Sequence, residues 1–416
     1  MYWQSRLIGT ASRRYLNANL LNQTLMMEFL KGWSPWREYR KLSADWRNIV
    51  IYSESGQDWH YFEPLINVLN DDLQRKVTYI TSDPNDTGLD RQHDLFRAIH
   101  IPEGLFLTWF FNFQKADVVV MTMMDLDNLQ LKKSIHPVHY VYLFHSLGST
   151  HMVDYANSYD AYDSLFCVGP HHVAELRKRE SIQGLKARNL FEYGHPRLEN
   201  LLVVAMSYQL SATPAETSSA TTVLIAPTWG DESIFNTCGD ELTGVLLDAG
   251  YKVIIRPHYQ TLKMTPDVIS NLRKKYGDHE NFEYQDRMGE SDSLFRSDIL
   301  ISDWSAMAIE YALGLEKPVL FIDLPRRIRN PDWQALDIEP QEVAFRKLAG
   351  DIVSPQQLAE VPQMIDRLLQ NQESFRQRMQ SLRSKMVFNI GESTQAGAKE
   401  IARLADEKAS ERQAKG

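Results

Sequence analysis

The sequence predicts an α/β protein: two doubly wound domains facing a central cleft, preceded by an N-terminal helical segment. Three observations carry this. Short, continuously apolar runs rich in β-branched residues alternate with helical stretches, and the alternation stops at a polar, small-residue stretch before restarting. The chain has 416 residues, more than one core usually takes at about 100–200 residues per domain. Apolar character that is continuous rather than alternating marks strands buried on both faces, as in a parallel sheet covered by helices.

Residues 1–46 form an amphipathic helical segment that is locally basic, with Arg6, Arg13, Arg14, Lys31, Arg37, Arg40 and Lys41 outnumbering Glu28, Glu38 and Asp45. Leu21, Leu25 and Phe29 recur at four-residue spacing, and Trp3, Trp33, Trp36 and Trp46 add rings of the kind found at membrane interfaces. Such a segment either touches a membrane or docks on its own protein. The first domain, 47–206, has strands at Asn48 to Ser53, Lys76 to Thr81, Asp117 to Thr122, Val138 to Phe144 and Ser164 to Val168. Residues 207–222, with Ser207, Ser211, Thr213, Pro214, Ser218 and Ser219, read as a linker. In the second domain, 223–385, strands are expected at Val223 to Ala226, Tyr251 to Arg256, Asp298 to Ser302 and Pro318 to Ile322. Helices are expected around Glu241 to Ala249, Pro266 to Tyr276 and Ser305 to Leu315. Residues 386–416 form a helical tail whose Ala-, Lys-, Glu- and Arg-rich end is expected to fray into solvent.

Composition narrows the function classes. With 43% hydrophobic and 24% charged residues, collagenous and disordered classes are set aside. Cys167 and Cys238 alone make neither a disulfide framework nor a Cys-based zinc site, so free thiols and a reducing compartment are expected. A net charge of -9 argues against wholesale nucleic-acid binding. No run reaches the roughly 18 apolar residues that span a bilayer, and the N-terminus lacks a signal-peptide pattern, so residence in the cytoplasm is the expectation. No phosphate-binding Gly-x-x-x-x-Gly-Lys loop, Gly-x-Gly-x-x-Gly turn, His-Glu-x-x-His or Gly-x-Ser-x-Gly element is present. Neither metal nor cofactor is called for.

Doubly wound folds bind ligands beyond the carboxyl ends of their strands. The run ending at Phe144 leads into His145-Ser146-Leu147-Gly148-Ser149-Thr150-His151. His145 there is either a general base, with backbone amides near Gly148 open to an anion, or a turn cap. Ala226-Pro227-Thr228-Trp229 follows another strand, offering a hydroxyl and an apolar wall, or merely a strand-ending turn. Arg256-Pro257-His258 brings a guanidinium and an imidazole to the same edge, a pair suited to phosphate, the imidazolium neutralising developing charge. Ser302-Asp303-Trp304-Ser305, ahead of a helix carrying Glu310, makes either an anion cradle at a positive helix end or an ordinary N-cap. Gly194-His195-Pro196-Arg197 sits at a strand-to-helix junction, where Arg197 either reaches a phosphate or forms a surface salt bridge.

In their order and spacing over residues 48–325, His145, Gly194-His195-Pro196-Arg197, Ala226-Pro227-Thr228-Trp229, Arg256-Pro257-His258 and Ser302-Asp303-Trp304-Ser305 resemble the CDP-glycerol glycerophosphotransferases of teichoic-acid and capsule polymer synthesis. The resemblance implies a GT-B fold of two Rossmann-like domains, an acceptor side and a nucleotide-donor side, and His145 and His258 as the essential catalytic pair. It implies donor binding by Arg197, Thr228, Trp229, Arg256, Ser302, Asp303, Ser305 and Glu310. The chain departs from the family pattern at Ala306, where a second Ser is usual, at Glu310, where Asp is usual, and at Gly230, where Arg is usual. The Gly-Thr-Pro and Lys that follow the first His are also missing.

The implied reaction moves glycerol phosphate, or a related polyol phosphate, from a CDP-activated donor to a polysaccharide or lipid-linked acceptor, releasing CMP. Members of the family generally work at the inner membrane face, which would give residues 1–46 a peripheral membrane contact. Two rival readings are a GT-B glycosyltransferase or 2-epimerase acting on a nucleotide sugar, and a non-catalytic nucleotide-binding protein of the same fold.

Overall fold

The computed structural model describes residues 32–127, 131–211, 220–285 and 292–415. Trp3, the stretch through Leu21, Leu25 and Phe29, and 212–219 of the expected linker lie outside them. Helix α1 (32–41) precedes β1 (Ile49–Ser53), α2 (Trp59–Asn67), β2 (Val77–Thr81), β3 (Phe96–His100), α3 (Leu105–Phe113), β4 (Val118–Met121) and β5 (His139–Leu143). Then come β6 (Ser164–Cys167), α4 (Pro170–Gln183), β7 (Asn189–Glu192) and α5 (Pro196–Ser211). These strands form a seven-stranded sheet in the order β3-β2-β1-β4-β5-β6-β7.

The pattern repeats with β8 (Thr222–Ile225), α6 (Ile234–Thr237), α7 (Gly239–Asp248), β9 (Lys252–Ile255), α8 (Tyr259–Met264), α9 (Pro266–Tyr276) and β10 (Phe282–Tyr284). It continues through α10 (Asp292–Arg296), β11 (Ile299–Ser302), α11 (Met307–Leu315), β12 (Val319–Ile322), α12 (Gln341–Ala349) and β13 (Gly350–Val353). The second sheet is six-stranded, in the order β10-β9-β8-β11-β12-β13. Helices α13 (Val361–Gln370), α14 (Gln372–Met386) and α15 (Ser393–Lys415) complete the chain.

The residues group into two compact units. One runs up to Leu143 and adds Asn157–Leu165 and Thr394 onward; the other comprises Phe144–Ala156 and Phe166–Ser393. In the first unit, Trp36 is 4% and Trp46 9% exposed, and Tyr39 meets Phe110 edge-on at 4.9 Å. Two of the tryptophans offered as interfacial rings are thus packing residues. The tail does not fray as expected. Helix α15 turns Ala398, Ile401 and Ala405 into the core, Asn48 Nδ2 donates to the Ala405 carbonyl at 3.1 Å, and Arg412 Nη1 grips Asp117 at 2.6 and 2.7 Å. Its apolar residues fall at three- and four-residue intervals, so a largely polar composition still presents one buried stripe.

In the second unit the parallel register sets Ile225 abreast of Ile255 and of Ile301. The next residues, Ala226, Arg256 and Ser302, therefore lie at one level. This level lies where strand order reverses, between β8 and β11, the switch point at which such sheets open a ligand crevice. Every residue proposed from the sequence for catalysis or donor binding belongs to this unit. Because Ile401 is fully buried, Ile401→Ala is expected to cost about 2–5 kcal/mol, read as a lower denaturant midpoint at unchanged slope.

Candidate active site

Three chain segments meet at the first turn of α11. Directly after β9 comes Arg256, whose N–H makes the last ladder bond, to the Ile225 carbonyl at 2.9 Å. Its buried guanidinium lies 4.0 Å from Met307 Sδ, at the first residue of α11. Burial, then the nearby Arg197, pull the Arg256 pKa down to about 10 against the pull of Glu310, so it stays charged at neutral pH. Glu310, buried in the same turn, receives Arg197 Nε at 2.9 Å and lies 3.4 Å from His195 Nε2. Gly194 makes this approach feasible: its φ is 100°, and a Cβ there would come within 2.1 Å of Ser393 Oγ. The guanidinium groups of Arg197 and Arg256 thus stand with Glu310 at a helix N-terminus, where anions are stabilised.

The neighbouring turn holds this arrangement in place. Asp303 Oδ1 accepts the N–H groups of Thr228 and Trp304, each at 2.7 Å, and Oδ2 accepts that of Ile234 at 3.2 Å. Ser302 Oγ donates to the Ala226 carbonyl at 2.8 Å. Both side chains are buried, so Ser302 and Asp303 face inward and shape the site through backbone they tie down. Ser305 Oγ accepts the Met307 N–H at 3.3 Å, at the entry to α11.

Trp229 stands beside His258, with ring centroids 6.2 Å apart, and the Arg327 guanidinium lies over the indole at 3.7 Å. His258 caps α8, its Nδ1 accepting the Gln260 N–H at 3.1 Å. That bond requires a lone pair on Nδ1, which leaves Nε2 to carry the proton of the neutral ring. Burial, seconded by Arg327, pushes the His258 pKa down to about 4. The imidazolium expected from the sequence is therefore replaced, at neutral pH, by an uncharged Nε2–H donor.

The loop after β5 also departs from expectation. Its amides are not open to an anion: Gly148 N–H donates to Ser146 Oγ at 3.1 Å, Ser149 N–H to Glu342 at 2.8 Å and Thr150 N–H to Glu175 at 2.7 Å. The Ser149 and Thr150 hydroxyls donate to the same two carboxylates, at 2.8 and 2.7 Å. His172 Nε2 adds a bond to the Gly148 carbonyl at 2.8 Å. Half-buried His145 leads this braced loop. Burial raises the Glu342 pKa, against the lowering effect of its bonds to Ser149. One turn along α12, Arg346 donates to Asp323 and to the Ile322 carbonyl at 3.1 Å each and covers Trp304 at 4.0 Å. One face of α12 thus holds both the His145 loop and the turn after β11. Glu175, Glu342, Arg327 and Arg346 were not foreseen; only the Arg326-Arg327 pair just past a strand offered a signal.

Folded His258 stays neutral, whereas unfolded it binds a proton near its ordinary value of 6.5. Its stability contribution is therefore whole above that pH and is lost as pH falls toward about 4, by up to about 3 kcal/mol. His258→Asn, whose Oδ1 can take the place of Nδ1 in capping α8, should lack this dependence. Denaturant titrations of the two proteins between pH 7 and 4 should diverge; parallel curves would refute the neutral assignment.

Residues 124–328 match the family model of CDP-glycerol:poly(glycerophosphate) glycerophosphotransferase. In fold the chain is similar to the wall teichoic acid polymerase TagF, with a TM-score of 0.56, 15% identity, and coverage of 96% of this chain and 98% of that one. It is also similar to the UDP-GlcNAc 2-epimerase of Neisseria meningitidis, with a TM-score of 0.55, 13% identity, and coverage of 85% and 99%. No curated protein matches the sequence. The structural likenesses establish the GT-B fold, and the matched segment holds every strand-end motif described above. Over residues 124–328 the chain is accordingly similar to the CDP-glycerol:poly(glycerophosphate) glycerophosphotransferase family.

Proposed function

We propose that this enzyme moves glycerol phosphate, or a related polyol phosphate, from its CDP-activated form to a hydroxyl of a cell-surface polysaccharide or its primer, releasing CMP. The observation that carries the proposal is the convergence of the Arg197 and Arg256 guanidinium groups on the start of α11, beside Glu310. In this reading residues 223–385 form the nucleotide-donor half and 47–206 the acceptor half.

The acceptor oxygen attacks the glycerol-bearing phosphorus, the new O–P bond forms as the bond to the CMP oxygen breaks, and CMP leaves with the electron pair. His145 takes the hydroxyl proton as general base. Arg256, Arg197 and the first turn of α11 hold the phosphate oxygens, while the His258 Nε2–H donates to the oxygens on which charge develops. Thr228 and the Trp229 ring border the nucleotide. Ser302, Asp303 and Glu310 act on the donor indirectly: the first two fix the turns that carry Thr228 and Trp304, and Glu310 orients Arg197. His145→Ala and His258→Ala are each expected to lower acceptor-dependent CMP release from CDP-glycerol or CDP-ribitol by at least about a hundredfold. Near-wild-type turnover would remove that residue from the mechanism. Release only from nucleotide sugars would replace the reaction by glycosyl transfer.

We further propose peripheral contact with the inner membrane face. Among the described residues no helix is long and apolar enough to cross a membrane. In the first unit, however, Trp33 is 40%, Leu105 53% and Phe113 46% exposed. With the basic segment 1–46, these give apolar and cationic groups suited to an anionic lipid surface. Deleting residues 1–31 spares buried Trp36 and Tyr39 and should weaken co-sedimentation with anionic vesicles; unchanged sedimentation would exclude that segment as the anchor.

A further inference from the structure

Beside the loop led by His145 lies a cavity of about 100 Å3 to which the proposed reaction assigns nothing. Thr150 and His151 of the loop, Glu175 and Arg179 of α4, and Asp332 and Trp333 border it. Each water takes roughly 30 Å3 of liquid volume, so the cavity has room for roughly three waters or an organic group of similar size.

Glu175 is 1% exposed. Its Oε2 is spent on the Thr150 N–H and hydroxyl, both at 2.7 Å, and lies 3.4 Å from His151 Nδ1. Its Oε1 is buried without a hydrogen-bond partner. A buried carboxylate oxygen requires a donor, and Glu175 borders the cavity, so a ligand there with a hydrogen-bond donor would supply one. Charge restricts that ligand further. The carboxylates of Glu175 and Asp332 repel a phosphate, and the Arg179 guanidinium repels a cation. Trp333 supplies the apolar wall that, with a few convergent polar groups, characterises small-molecule sites.

We propose that this cavity binds part of one neutral, hydroxyl-bearing unit of the acceptor, a small polyol or one edge of a sugar, which donates a hydroxyl to Glu175 Oε1 and lays its carbon face on Trp333. Identifying the unit with the acceptor rests on the proposed transfer reaction; the binding itself does not. Thr150 and His151 belong to the loop that begins at His145, so an occupied cavity places acceptor chain next to the proposed base.

The test uses the full chain, with glycerol, methyl α-glucopyranoside, glycerol 3-phosphate and inorganic phosphate as probes, followed by saturation-transfer NMR. Trp333→Ala removes the wall, and Ala335→Trp fills the cavity from an exposed lining position. Saturable binding of a neutral probe to the wild type, weakened at least tenfold in both variants, supports the site. It is overturned if no neutral probe binds, if both variants bind as the wild type does, or if the phosphate probes bind more tightly through the same residues. In the transfer assay both variants should raise the acceptor KM at least tenfold and leave the donor KM within twofold. An unchanged acceptor KM beside lost probe binding would overturn the acceptor assignment. If the wild type releases no CMP with any acceptor, the transfer reaction fails while the binding result is judged separately.

Discussion

Asp303 is the constraint on which the strand-end site of the second sheet depends. Its carboxylate sits almost wholly out of water at the carboxyl edge of the second sheet, where burial raises its pKa against the lowering effect of the backbone bonds. A charge so placed is tolerable only when its lone pairs are filled, and three backbone N–H groups fill them: Thr228, Ile234 and Trp304. The loop after β8 is thereby locked to the turn after β11. The position of Trp229, and with it the Arg327 stack and the neighbourhood of His258, follows from that lock.

Other buried acids repeat the device. Glu342 and Glu175 each take one backbone N–H and one hydroxyl from the His145 loop, and Glu310 takes Arg197. Carboxylates serve here as internal braces, while Arg256, Arg197 and His258 are cationic groups and a neutral hydrogen-bond donor, suited to an anion. Preorganisation of this kind suits phosphoryl transfer, in which positioning and charge stabilisation supply nearly all of the catalysis. A neutral His258 fits the same economy: it donates a hydrogen bond without adding a buried charge beside Arg327.

Much of the fold was legible in the sequence. The strand runs expected from continuous apolar character match β1, β2, β4, β5, β6, β8, β9, β11 and β12 to within one or two residues. Strands β3, β10 and β13 had no such run, and β7 showed itself only through the junction at Gly194-His195-Pro196-Arg197. All four are sheet edges. An edge strand is shielded on one flank only, so it tolerates Arg97 in β3, Glu192 in β7, Glu283 in β10 and Asp351 in β13 and lacks the signature of a strand buried on both faces.

The sequence by itself determined the doubly wound architecture, the strand ends where chemistry gathers and the identities of the cationic and imidazole groups there, because these follow from local apolar runs and short motifs. Tertiary structure alone decided which groups face the ligand and which hold the frame. Ser302 and Asp303 turn inward, the amides after His145 are claimed by carboxylates, and His258 loses its proton. Each outcome depends on partners far away in the chain, 75 residues for Thr228 and Asp303 and 193 for Ser149 and Glu342, or on a local dielectric that exists only once the core has closed.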